Sequence, residues 1–164
     1  MARCLIVGCG CRGTALAREL IGLGHSVRAT TRDERRGATI EASGAEALIA
    51  DPDRVATLAA ALEQVTVACL LLGSASGPSE RLSALHGPRL EMLLTRMRDT
   101  TVRGIMYEGA GTAPAALLAA GAQLVRGFCA DSRIPCAIVT ADPSDHDGWL
   151  ADTIDAVVGL LAPP

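Results

Sequence analysis

Three glycines near the start of the chain have the spacing of a phosphate-binding loop. In CLIVGCGCRGT (residues 4–14), Gly8, Gly10 and Gly13 form G-x-G-x-x-G between an apolar run and a helical pattern. In such a loop the first glycine permits a tight turn, the second admits a pyrophosphate, and the third lets helix and strand pack closely. The alternatives are a purely structural turn and a methyltransferase loop, which usually carries an acid where Leu5–Val7 stand. We favour a dinucleotide phosphate at a helix N-terminus.

Basic residues after the second predicted strand indicate which dinucleotide would bind. An NAD site places Asp or Glu there to hold the ribose 2′-hydroxyl, whereas this chain has Thr30, Thr31 and Arg32. A guanidinium offers a planar pair of donors to a phosphate. Arg32, together with Arg12 of the glycine loop and either Arg35 or Arg36, therefore favours NADP over NAD. For the last two arginines the alternative is a solvated helix start.

Two cysteines lie inside the glycine loop. Exposed amides and a helix dipole lower the pKa of a thiol, so Cys9 and Cys11 are candidates for redox chemistry as well as small residues that admit a phosphate. A metal site needs about four ligands, and no partner pair at ligand spacing accompanies them. The sequence therefore predicts no metal site.

Four residues with acid–base chemistry lie at the carboxyl edge of the predicted sheet. Tyr107 and His146 are candidates to protonate a carbonyl that receives hydride, and Glu108 or Asp145 would orient the donor. The alternative is that Tyr107 packs in the core and that PSDHDG (residues 143–148) is a polar turn and helix cap.

Composition removes several classes of function. The chain has 164 residues, enough for one domain spanning 1–164, and a formal charge of −3, which gives no reason to expect nucleic acid. All 15 basic residues are arginine, so Schiff-base chemistry and a Tyr/Lys pair are excluded. No apolar run approaches a membrane span and no cleavage pattern follows Met1, which predicts a cytoplasmic protein. The six cysteines lie mostly in apolar runs, as reduced core residues do.

Alternating elements place these residues at one edge of a sheet. Apolar runs predict strands, and helical spacing between them predicts crossover helices. The predicted strands are 3–8, 25–32, 46–51, 65–73, 102–111 and 135–142. The predicted helices are 11–24, a modest one up to about 43, 53–64, about 89–98, 113–132 and 147–162, with a long loop at 74–88. Parallel strands need such crossovers, so the fold class is α/β: a doubly wound, mostly parallel six-stranded sheet between two helical layers.

These segments resemble the short-chain dehydrogenase/reductase superfamily, in particular its atypical and extended NAD(P)H-binding, NmrA-like members. The resemblance covers the glycine loop, ATTR (29–32), the acid after the third strand, LLLGSAS (70–76), RGIMYEGAG (103–111) and IPCAIVTADP (134–143). It implies a Rossmann fold. It also implies that Asp51 contacts the adenine amine, although a helix N-cap is an equal alternative. The predicted cofactor-binding residues are Gly8, Gly10, Cys11, Arg12, Gly13, Thr31, Arg32, Asp51, Gly73 and Ser74.

The chain departs from that superfamily at its catalytic residues. The Tyr-x-x-x-Lys pair is lacking, since Gly111 stands at the lysine position after Tyr107 and helix 113–132 has neither residue. Two functions follow: a non-catalytic NADP(H)-binding sensor or partner subunit, or a small NADP-dependent oxidoreductase acting on a carbonyl-type substrate. The resemblance further implies a homodimer through the helices at about 89–98 and 113–132.

Overall fold

The computed structural model describes all residues, Met1–Pro164, and contains six strands and six α-helices. The strands are β1 (Arg3–Val7), β2 (Ser26–Thr31), β3 (Glu46–Ile49), β4 (Val67–Leu70), β5 (Gly104–Glu108) and β6 (Cys136–Val139). The α-helices are α1 (Cys11–Gly22), α2 (Gly37–Ala42), α3 (Ser79–Leu85), α4 (Pro88–Met97), α5 (Ala115–Ser132) and α6 (His146–Leu161). Short 3-10 helices cover Glu34–Arg36, Val55–Leu58 and Ala60–Leu62. No helix is both long enough and apolar enough to span a bilayer.

All neighbouring strands pair in parallel, in the order β3-β2-β1-β4-β5-β6. Successive side chains of a strand point to opposite faces, and β1 shows this clearly. Leu5 and Val7 join a core with α4 and α5, whereas Cys4 and Ile6 join a second core with α1, α2 and α6. The predicted three-layer α/β class is therefore confirmed. The chain order reverses between β1 and β4, which makes their carboxyl ends a switch point where ligands bind.

The predicted helix at 53–64 is wrong, because this segment forms only the two 3-10 helices. The buried Arg28 of β2 explains the difference. Its Nη1 donates to the carbonyls of Ala60, Ala61 and Glu63 at 3.3, 3.0 and 2.9 Å. Those carbonyls accept hydrogen bonds from the guanidinium instead of from the amides of a continuing α-helix. Asp51 accordingly caps no α-helix; its Oδ1 accepts from the amide of Asp53 at 2.9 Å.

The predicted loop at 74–88 contains a helix, α3. Leu82 and Leu85, three residues apart, are buried and hold the helix against the protein. Pro78 immediately precedes the helix and Glu80 lies in its first turn, both of which are helix-start signals. The remaining elements lie within the predicted ranges or within a residue of them.

Candidate functional site

A cleft of about 450 Å³ lies at the switch point between β1 and β4. Its wall is formed by the glycine loop, the end of β2 and the segment after it, residues beside β3, and the segment from the end of β4 into α3. The lining residues are Gly8–Gly13, Thr30–Asp33, Arg36, Ala50, Pro52, Leu71, Leu72, Ser74, Ala75, Arg81 and Leu85.

Each glycine of the loop has a different geometric reason to be glycine. Gly8 has φ of +83°, and a Cβ there would lie 2.6 Å from the carbonyl oxygen of Leu71. A Cβ on Gly13 would lie 2.9 Å from Cys9 Sγ, because α1 packs tightly on β1. A Cβ on Gly10 would meet nothing within 4 Å. The open space at Gly10, where α1 begins, is where a phosphate would approach the helix N-terminus.

Arg36 offers an unused cation to the cleft. Its Nε and Nη2 are buried and have no hydrogen-bond partner in the protein. A buried donor without a partner is costly, so it indicates a place where a bound group would complete the hydrogen bonds. Thr30, only 1% exposed, also lines the cleft with a buried, unpartnered Oγ1. These orphaned donors fit an anionic ligand.

The neighbouring arginines are engaged elsewhere. Arg35 points to solvent and pairs with Asp33, whose carboxylate accepts from its Nε and Nη2 at 3.0 Å each. This pairing lowers the pKa of Asp33. Arg32 lines the cleft, with its side chain half exposed and its Nη1 3.7 Å from Asp53. Arg36 therefore carries the least compensated positive charge among the three.

Arg12 leaves the glycine loop and crosses to the end of β5. Its Nη2 donates to Glu108 Oε2 at 3.0 Å and to Ser74 Oγ at 3.2 Å, and its guanidinium lies 5.2 Å from the centre of the Trp149 ring. Glu108 is fully buried and also accepts from Trp149 Nε1 and from the amide of Gly73, each at 2.9 Å. Burial raises the pKa of Glu108, and these three donors oppose that rise.

None of the three predicted catalytic residues lines the cleft. Tyr107 is fully buried in the core, its hydroxyl 2.6 Å from Nδ1 of the buried His86, and burial raises its pKa. Glu108 orients neither Tyr107 nor His146, since its oxygens accept from Arg12, Trp149 and Gly73. His146 is exposed at the first turn of α6. The structure therefore does not bring these residues together, and the packing alternative describes Tyr107 correctly.

Eight of the ten predicted cofactor-binding residues line the cleft, and two do not. Gly73 donates its amide to Glu108. Asp51 holds the turn to Asp53, while its neighbours Ala50 and Pro52 line the cleft.

The prediction of a lowered thiol pKa is wrong for Cys9. Cys9 is 4% exposed, and burial raises its pKa to about 11, although the nearby Arg36 opposes the rise. Its side chain packs beneath Gly13 instead of facing the amides of the loop. Cys11 is exposed at the start of α1 and lines the cleft. All six cysteines are free.

Solved structures share this architecture at low sequence identity. Vestitone reductase from alfalfa (Medicago sativa) matches with a TM-score of 0.69 and 18% identity, over 85% of this chain and 56% of the reductase. A short-chain dehydrogenase/reductase superfamily protein from Agrobacterium tumefaciens with bound NAD matches with a TM-score of 0.68 and 17% identity, over 84% of this chain and 48% of the other. A Citrobacter sp. triphenylmethane reductase complexed with NADP(H) matches with a TM-score of 0.63 and 19% identity, over 84% of this chain and 48% of the reductase. The chain has the Rossmann fold. It spans about half the length of these structures.

No protein-family model and no curated protein matches the sequence.

The Rossmann cleft also contains residues that sequence reasoning missed. Arg81 and Leu85 lie on α3, which was expected to be loop. Arg81 Nε lies 2.5 Å from Asp53 Oδ2 and thereby ties α3 to the segment after β3. The helix-start signal at Pro78 predicts a helix that contains Arg81 and Leu85, and this helix forms part of the cleft wall.

Proposed function

We propose that this Rossmann protein binds NADP(H) at the switch-point cleft and belongs to the short-chain dehydrogenase/reductase superfamily as a non-catalytic member, a cofactor sensor or partner subunit. The observation that carries the proposal is the unpartnered guanidinium of Arg36 beside the glycine loop and the end of β2. In a fold of this type the residues after the second strand lie next to the adenosine ribose.

The chain's own residues supply groups for the diphosphate, the 2′-phosphate and the adenine. The amides at the start of α1 and the space at Gly10 would receive the diphosphate. Thr31, Arg32 and Arg36 would surround the 2′-phosphate. Ala50, Leu72 and Leu85 give an apolar surface for the adenine.

The hydrogen bonds of Asp33 disfavour NAD. Asp33 is the one acidic residue after β2 that lines the cleft. Asp33 accepts from the amide, Nε and Nη2 of Arg35, so this carboxylate is paired with a cation. The arginines that line the same wall are donors. A 2′-phosphate carries the acceptors that these donors lack.

The non-catalytic assignment is supported by the chemistry available near the cleft. The chain contains no lysine. Its single tyrosine is buried in the core, Glu108 is engaged by three donors, and His146 lies outside the cleft. Proton transfer requires a group within hydrogen-bond reach of the substrate.

Calorimetric titration of NADPH into Arg36→Ala tests the proposal. A lost charged hydrogen bond costs about 1.5–3 kcal/mol, so the affinity for NADPH falls by about 10-fold or more while NADH is affected by less than about twofold. The control is Arg18→Ala, which removes the same charge from an exposed position of α1 outside the cleft. Equal losses in the two variants, or no loss in Arg36→Ala, would overturn the assignment of the 2′-phosphate site.

A further inference from the structure

The cleft occupies only one half of the sheet's carboxyl edge. Its lining comes from the glycine loop, the ends of β2 and β4, the segment after β3, and α3. No residue after β5 or β6, and none of α6, contributes to it. A dinucleotide bound across a switch point uses both halves of such an edge. Beyond β4, the side chain of Arg12 lies across the edge of the sheet.

Arg12 fills the boundary between the two halves. It begins in the glycine loop and reaches Ser74 after β4 and Glu108 at the end of β5. Trp149 of α6, in the same helical layer as α1, closes this space, with the guanidinium over its indole and its Nε1 bonded to Glu108. One cation, one carboxylate and one indole therefore form a continuous partition, which we call the Arg12 partition.

The loops after β4 and β5 touch beside the Arg12 partition. The amide of Ala113 donates to the carbonyl of Gly73 at 3.0 Å, and a Cβ on Gly73 would lie 2.9 Å from Glu108 Cγ. A Cβ on Gly111 would collide with the carbonyl of Gly73. A second cavity of about 420 Å³, lined by the loop after β5, by α5 and by the end of β6, shares no lining residue with the cleft.

The Arg12 partition resists displacement. Glu108 is completely buried, and its two oxygens share the Arg12, Trp149 and Gly73 donors. Withdrawing Arg12 would leave a buried carboxylate without its cation, which is strongly unfavourable. A ligand does not displace Arg12 when the free energy of that displacement exceeds the free energy gained from the new contacts.

We propose that the cleft recognises NADP(H) only through its adenosine 2′-phosphate 5′-diphosphate half, and that the nicotinamide riboside half stays outside in solvent. This inference rests on the proposed function, since it takes the cleft to be an NADP(H) site. It has a functional consequence: the protein cannot distinguish NADP⁺ from NADPH and reports their total concentration.

Competition and direct titration with adenosine 2′-phosphate 5′-diphosphate (2′-phospho-ADP), the matching ligand fragment, test the inference. The expected result is that 2′-phospho-ADP, NADP⁺ and NADPH bind with dissociation constants within about threefold of one another, while nicotinamide mononucleotide does not bind. Either dinucleotide binding more than about tenfold tighter than 2′-phospho-ADP would overturn the inference and leave the proposed function standing. If 2′-phospho-ADP binds no better than 5′-ADP, which differs from it only by the 2′-phosphate, the 2′-phosphate site is absent and both proposals are wrong.

Trp149, the single tryptophan, gives an independent readout at the Arg12 partition. Because the partition stays in place, saturating 2′-phospho-ADP and saturating NADP⁺ are expected to leave the same Trp149 emission spectrum. A further change of intensity or wavelength with NADP⁺ alone would show that the nicotinamide half displaces Arg12 from the indole, and would contradict the inference.

Discussion

At the residue scale, the three glycines of the loop differ in what surrounds the position that a Cβ would take. Gly8 and Gly13 are required by the protein itself, one by its positive φ and the other by the contact of α1 with Cys9. Gly10 has φ of −99°, which any residue can adopt, and no protein atom occupies the space of its Cβ. Of the three, Gly10 is therefore the one that nothing within the chain requires to be glycine.

Gly10→Val is expected to abolish NADPH binding while the protein stays folded. The branched side chain would fill the space that the diphosphate needs, and the free energy of unfolding should fall by no more than about 1 kcal/mol, the scale of a changed helix cap. Calorimetry and urea denaturation give the two quantities. Gly22→Val, at the other end of α1 and equally free of contacts, is the control. Normal binding by a folded Gly10→Val protein would mean that the glycines form only a turn.

The residue types of the site were largely predictable, whereas their partners were not. The glycine pattern and Thr31–Arg32 were found because chain-local spacing specifies them. Asp33 pairs with Arg35 two residues away, and Arg36 is left to line the cleft. Tyr107 pairs with His86, which is 21 residues away. Sequence pattern carries no information on such long-range pairings.

At the element scale, a buried polar side chain explains why one segment does not form the helix that its local sequence pattern predicts. Arg28 prevents an α-helix at 53–64 by taking three of its carbonyls, a contact across more than 30 residues. The strands and the long helices were predictable because apolar periodicity is local. Helix α3 was missed because a Gly-Pro pair and several serines dominate its surroundings.

The junction of α3 and α4 is predicted to make stability sensitive to acid. His86 caps α3, is 1% exposed, and meets the Tyr107 ring edge to face at 6.0 Å. Burial lowers its pKa below the ordinary 6.5, so the unfolded chain binds the proton more readily. The free energy of unfolding therefore falls as the pH drops through and below 6.5.

Urea denaturation at about pH 7, 6 and 5 measures this dependence, with His86→Leu as the comparison. The variant lacks the titrating ring, and the wild-type protein should lose more stability than the variant over this interval. Glu108, whose pKa is raised by burial, acts in the opposite direction but is present in both proteins. Parallel pH profiles would show that His86 does not contribute.

At the scale of the whole molecule, the outer face of α5 is rich in small residues, interrupted by Gln123, Arg126 and Asp131. Ala115, Ala116, Ala119, Ala120 and Gly127 are exposed there. Beside α5, α4 exposes Met92 with 48% of its surface accessible. These two helices are the ones for which a symmetric contact was expected, and small side chains let a second helix approach closely.

We predict a homodimer through α4 and α5, and Ala119→Glu should split it into folded monomers. A carboxylate at this exposed position would be buried without a partner in the dimer and would be harmless in the monomer. Sedimentation at micromolar concentration, with circular dichroism, measures the effect. Ala38→Glu, exposed on α2 in the opposite layer, is the control. Leu118→Glu is unsuitable because Leu118 is only 3% exposed within one chain. A wild-type species of one chain's mass would refute the dimer.

Calorimetric titration of the wild-type protein with NADPH and NADH measures directly whether the cleft holds a 2′-phosphate. The guanidinium groups of Arg32 and Arg36, which follow β2, suit the charged oxygens of a 2′-phosphate better than a neutral 2′-hydroxyl. NADPH is therefore expected to bind at least about tenfold more tightly than NADH, equivalent to about 1.4 kcal/mol. Equal affinities, or a preference for NADH, would contradict the account.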